Sequence, residues 1–114
     1  MVDKGVNKIV LKQLKAYNRG EVSTFCSCFS NDVKVYSLGD KKPKSSGMKA
    51  FRKIYKNLFE KNPKLKCRIV NKIRKGKWAI DFEHLTGLSE RNPFYGLAIY
   101  EVKGSKIKTV WFLR

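Results

Sequence analysis

A chain of 114 residues and 13.2 kDa, 42% hydrophobic and 12% aromatic, is the size of one ordinary domain and can bury a core without disulfides or metals. It has no apolar run of the ~18 residues needed to span a bilayer, and its start lacks the basic-then-apolar order of a signal peptide. One domain over 1–114, cytoplasmic and without membrane attachment, is the expectation. The net charge of +17 raises the prospect of an anionic partner, but the lysines are spread over almost every element. Clustering, not total charge, marks a nucleic-acid face, so nucleic acid is the least favoured partner.

The helical spacing of Val6, Ile9, Val10, Gln13, Leu14 and Tyr17 predicts an amphipathic helix over Lys4–Arg19, with Gly20 as a left-handed cap. Val22, Phe25, Cys26 and Phe29 repeat the spacing in a second, shorter helix, which Ser30-Asn31-Asp32 stops. Val33–Leu38 reads as a strand. The polar loop Gly39–Gly47 follows, with a serine N-cap at its end. A third helix carries Phe51, Ile54, Tyr55, Leu58 and Phe59 and ends at Asn62-Pro63, since the residue before proline leaves the helical region.

The remaining chain reads as four antiparallel strands. In the first, Leu65, Cys67 and Ile69 alternate with polar residues, and Ile73 continues their phase. Lys75-Gly76 turns into the second, Lys77–Gly87, and after Leu88–Pro93 come Phe94–Lys103 and Lys106–Leu113, joined at Gly104-Ser105.

The strand Lys77–Gly87 holds the clustered acids and the lone histidine. Its period of two sets Trp78, Ile80, Phe82 and His84 against Ala79, Asp81, Glu83 and Leu85. Burial preference by itself would put the aromatic face in the core and the acids in water. The three cysteines Cys26, Cys28 and Cys67 lack metal-ligand spacing and read as reduced thiols. With a single histidine a His-rich metal centre is excluded, and neither metal nor cofactor is expected.

The element order, together with Ala16-Tyr17-Asn18-Arg19-Gly20-Glu21, Phe29-Ser30-Asn31-Asp32-Val33, Ser46-Gly47, Phe51-Arg52-Lys53-Ile54-Tyr55, Ile99-Tyr100-Glu101-Val102, Lys106-Ile107 and Val110–Arg114, resembles the nuclear transport factor 2-like superfamily. The likeness is to its SnoaL-like and ketosteroid-isomerase-like branch and spans essentially the whole chain. It implies an α+β fold, a cone-shaped roll of order ααβαββββ, in which three helices pack on a curved, mostly antiparallel sheet around a ligand pocket. It also reverses the burial argument: Asp81 and Glu83 should face the pocket, as a candidate acid and base. Two carboxylates ~6–7 Å apart along a strand in a partly apolar cleft resist ionising together. The alternative is that a basic neighbour neutralises each and nothing is catalysed.

The same resemblance places Gln13, Tyr17, Ser37, Tyr55, Ala98, Tyr100 and Trp111 around the pocket, although such aromatics are more often plain core. Gln13, Ser37 and Ala98 stand where the isomerases carry their catalytic tyrosine and aspartates, so ketosteroid isomerase activity is not expected. The implied function is binding of a small apolar or cyclic ligand, with acid–base chemistry of an isomerase, cyclase or hydrolase type open. The competing reading is a non-catalytic dimeric interaction module. On either reading a homodimer is expected, paired through the outer face of Trp78, Ile80, Phe82 and His84.

Overall fold

The computed structural model describes residues 4–114. Its elements are α1 (Lys4–Arg19), α2 (Val22–Ser27), β1 (Phe29–Ser37), β2 (Ser45–Ser46), α3 (Met48–Lys61), β3 (Lys66–Lys75), β4 (Trp78–Thr86), β5 (Phe94–Lys103) and β6 (Lys106–Leu113). The strands form one sheet in the order β2-β1-β6-β5-β4-β3, antiparallel except where β1 runs parallel to β6. The fold is α+β, with three helices on a mixed, mostly antiparallel sheet.

Helix α1 ends as its sequence requires. Gly20 takes φ 67°, its N–H bonds to Tyr17 O, and the Glu21 N–H bonds to Ala16 O, the paired contacts of a glycine-closed helix end. Asn18, one turn back, fixes α1 to the sheet: its Nδ2 donates to Cys67 O at 2.9 Å and its Oδ1 accepts from Cys67 N at 2.7 Å. An aromatic cluster of Tyr17, Phe25, Phe29, Phe51, Tyr55 and Phe59 joins all three helices to β1, with ring centroids 4.5–6.5 Å apart. Such offset and edge contacts add to area burial.

Several local expectations give way to tertiary pairing. Phe29 belongs to β1, not to the second helix, because it pairs with Ile107 of β6. The expected serine N-cap is absent: Ser45 and Ser46 pair with Val35 and Lys34 as β2, and Gly47 precedes α3 with no side-chain cap. Ile54 lies half-exposed on α3 while Phe51, Tyr55 and Phe59 are buried.

Two irregularities invert the side-chain phase of a strand. Between Ile69 and Asn71 the β3–β4 register slips, leaving Val70 unpaired in a bulge. Cys67 and Ile69 therefore face inward, whereas Ile73 points out and is 60% exposed, contrary to the phase expected from its sequence. Arg74, opposite buried Ala79, turns inward instead. On β6 the register shifts again around Lys108, so Ile107 and then Val110 and Phe112 face the core while Trp111 faces out.

The outer sheet face is rich in rings. Trp111 lies between Tyr36 and Trp78, with centroids 5.8 Å from each, and Tyr95 stacks on Phe82 and His84 at 5.6 and 4.5 Å. Trp78, Phe82 and Tyr95 are exposed.

Candidate functional site

The pleat of β4 decides which chemistry is inside. Ala79, Asp81, Glu83 and Leu85 are buried, and Trp78, Ile80, Phe82 and His84 turn to the outer face. A buried carboxylate is costly unless a cation or several donors reach it. Both acids are reached by an arginine.

Asp81 is met by Arg74. The bulge at Val70 directs this side chain under α1, where Nη1 lies 2.8 Å from Asp81 Oδ1, Nε donates to Asn7 Oδ1 at 3.1 Å, and Nη1 also reaches Ile73 O. The two side chains are only 8% and 1% exposed, so the pair is locked in the protein. It forms the floor of a groove of ≈ 570 Å³ between α1 and β3, with walls of Val10, Leu11, Leu14 and Ile69.

Glu83 is met by Arg114, which follows β6. Arg114 gets there over Gly96, the residue that pairs with Glu83 across β4 and β5. A Cβ at Gly96 would lie 2.9 Å from both Arg114 Cγ and Leu113 O, inside normal contact. Absence of that side chain lets the arginine stem cross the strand. Its Nη2 is 3.2 Å from Glu83 Oε1, and the guanidinium rests 4.0 Å over the Phe112 ring. The other carboxylate oxygen, Oε2, accepts from Cys67 Sγ at 3.4 Å.

Burial raises the proton affinity of Glu83 above the usual carboxylate value, and the Arg114 charge only partly opposes it; nearby Asp81 adds to the rise. Burial and then Glu83 likewise push the Cys67 thiol far up, so it stays protonated. The Cys26 and Cys28 thiols are raised by burial as well. None of the three has the depressed value of a reactive cysteine.

Glu83 borders a cavity of ≈ 20 Å³, room for about one water molecule. Its polar lining is Gln13, Tyr17, Tyr55, Cys67, Tyr100, Glu83 and Arg114, and the rest is apolar, including Leu14, Phe25 and Phe29. Gln13 Nε2 donates to Val10 O at 3.0 Å and to Tyr100 Oη at 3.4 Å. Among the described residues the Tyr17 and Tyr55 hydroxyls have no hydrogen-bond partner. Burial pushes the Tyr55 phenol up to about 12 and raises Tyr17 and Tyr100 as well. All three remain neutral donors at ordinary pH.

The residues singled out in the sequence thus separate into groups. Gln13, Tyr17, Tyr55, Tyr100 and Glu83 converge on the cavity. Asp81 does not: it opens on the α1–β3 groove, and Leu14 and Cys67 stand between the two spaces, lining both. Ala98 is fully buried opposite Asp81. Ser37 pairs with Phe112 at the end of β1 and lines neither space. Trp111, expected in the pocket, is on the opposite face of the sheet because the irregularity at Lys108 reverses the strand's phase. Arg74, Arg114 and Cys67 were not anticipated as site residues. Among the described residues no group of three or more His, Cys, Asp or Glu side chains could hold a metal, and no helix is long and apolar enough to cross a membrane.

Comparison with known proteins gives a consistent frame. The family model for the SnoaL-like domain matches residues 10–110, and no curated protein matches the chain in sequence. An uncharacterized cystatin-fold protein from Novosphingobium aromaticivorans superposes with a TM-score of 0.87 at 23% identity, over 98% of this chain and 99% of its own. A Sinorhizobium meliloti protein with the provisional name polyketide cyclase gives 0.80 at 13% identity, over 97% and 100%. A Kribbella flavida protein provisionally named a ketosteroid isomerase gives 0.79 at 14%, over 96% and 76%. At such identities the likeness establishes the fold.

Breaking the buried Asp81 pair from one side should be more damaging than removing it whole. Arg74→Met is expected to cost about 3–5 kcal/mol, and the double variant Arg74→Met/Asp81→Leu to recover most of that loss. Urea denaturation of the two variants beside the parent chain checks this; equal losses would contradict it.

Proposed function

The chain belongs to the SnoaL-like domain family, and from that premise we propose that it binds a small apolar or cyclic ligand and performs acid–base chemistry on it, with Glu83 moving the proton. One observation carries this reading. A buried carboxyl of raised proton affinity shares a cavity with two phenol hydroxyls that have no partner among the described residues. Proton transfer near neutral pH needs a group whose proton affinity approaches that of the medium. Charge developing on a ligand oxygen needs fixed donors in a dry setting. Burial moves Glu83 in the direction of the first, and Tyr17 and Tyr55 offer the second.

Asp81 acts at a distance in this scheme. Its charge favours the protonated form of Glu83, while its own oxygen is engaged by Arg74. The cavity is far below the ~300–1,000 Å³ of typical ligand sites, so binding requires the wall to move. Arg114 is a part of that wall in contact with solvent, its side chain 25% exposed against 3% for Glu83.

Exchange of ring-adjacent C–H for deuterium in small cyclic ketones, followed by NMR in D₂O, reads proton transfer directly. Glu83→Gln is expected to slow this exchange by about 10²–10⁴-fold, and Tyr55→Phe to slow it without abolishing ligand binding. Unchanged exchange in Glu83→Gln would contradict the assignment.

A second reading concerns assembly and rests on the exposed rings of the outer sheet. An outer face that carries the ring pairs Trp78–Trp111 and Phe82–Tyr95 is a poor surface to leave in water, and a second copy of the chain would cover it. Sedimentation velocity at micromolar concentration should give a dimer, and Trp78→Lys/Phe82→Lys a monomer. A monomeric parent chain would contradict this.

A further inference from the structure

Building on the reading of Glu83 as the proton carrier, we infer that the ligand is a carboxylate-bearing molecule, which takes the Arg114 guanidinium from Glu83 on entry and leaves Glu83 holding a proton. The two buried ion pairs on β4 are built differently, and the difference points to exchange at only one of them. Arg74 is tied to Asp81, Asn7 and the Ile73 carbonyl, and is 8% exposed. Arg114 makes a single carboxylate contact, through Nη2 at 3.2 Å, and otherwise rests on the Phe112 ring. Among the described residues its Nε and Nη1 have no hydrogen-bond partner.

A guanidinium can grip a carboxylate with two parallel bonds, and Glu83 uses only one oxygen here, the other being taken by Cys67. A ligand carboxylate, free to align with the planar fork, can make the two-bond contact that Glu83 does not. Among the described residues Arg114 is also the only cation on the cavity lining, and it is the part of the ion pair nearer solvent. It can therefore swing towards the mouth with an anion, while Glu83, fixed on the strand, stays behind. This movement enlarges the cavity just where a ligand must pass, bringing the ligand's apolar part towards Tyr17, Tyr55 and Tyr100.

Charge balance sets the consequence. With Arg114 on the ligand, Glu83 is left buried without its cation, so it takes up a proton from water and the cavity stays neutral. One anion and one proton enter together. The net charge of +17 assists by drawing anions towards the protein at low ionic strength.

The test uses benzoate and its neutral isostere benzamide, titrated by calorimetry into the full chain near pH 7 in two buffers of different ionisation enthalpy. Benzoate is expected to bind about tenfold or more tightly than benzamide, with proton uptake seen as a buffer-dependent heat. Arg114→Gln should abolish the preference for benzoate. Glu83→Gln should keep the preference and lose the proton uptake. Equal affinity for the two probes in the parent chain, benzoate preference surviving Arg114→Gln, or binding without proton uptake each overturns this inference while leaving Glu83 as proton carrier intact. Failure of both probes to bind overturns both readings.

Discussion

Two carboxylates on the inner face of one strand, each requiring a cation, are the constraint around which this structure is arranged. Asp81 and Glu83 are buried where their strand neighbours Ala79 and Leu85 are also buried. Unpaired, either would cost several kcal/mol. The chain delivers an arginine to each by a local feature of the sheet: a bulge at Val70 that turns Arg74 inward, and the bare backbone of Gly96 that lets Arg114 cross. A bulge in one case and a missing side chain in the other thus bring the cations to the buried acids.

The two solutions differ in how many contacts hold each arginine. The Arg74–Asp81 pair is roofed by α1 and held by Asn7. The Arg114–Glu83 pair closes a cavity whose other polar walls are phenols and an amide from α1, α3 and β5. Arg114 is the more exposed member of that pair, 25% against 3%, so it is the contact that the proposed ligand binding would open.

Much of this architecture was legible in the sequence, since α1, β5 and β6 follow from periodicity and turn residues at their observed ends. The orientation of β4 was not legible from hydrophobicity. Trp78 and Phe82 outrank Asp81 and Glu83 on any burial scale, and only the resemblance to a cone-shaped family put the acids inside. Strand phase failed at both irregularities for one reason. Val70 and Lys108 are ordinary strand residues in sequence, and their unpaired state depends on the partner strand. Ile73 consequently lies on the face opposite to its predicted phase, and Arg74 turns inward. Arg114 left no local signal, because its partner is distant in the chain and its path depends on Gly96 across the sheet.

The claim that a buried glutamic acid is tuned for proton transfer is tested most directly by the carboxyl ¹³C resonance of Glu83 followed by NMR through a pH titration, in the parent chain and in Arg114→Gln. Burial dominates over the arginine in the parent, so the midpoint should lie above the ordinary 4.5, and removing the opposing charge should move it higher still. A midpoint at or below the ordinary value in the parent chain would contradict the account.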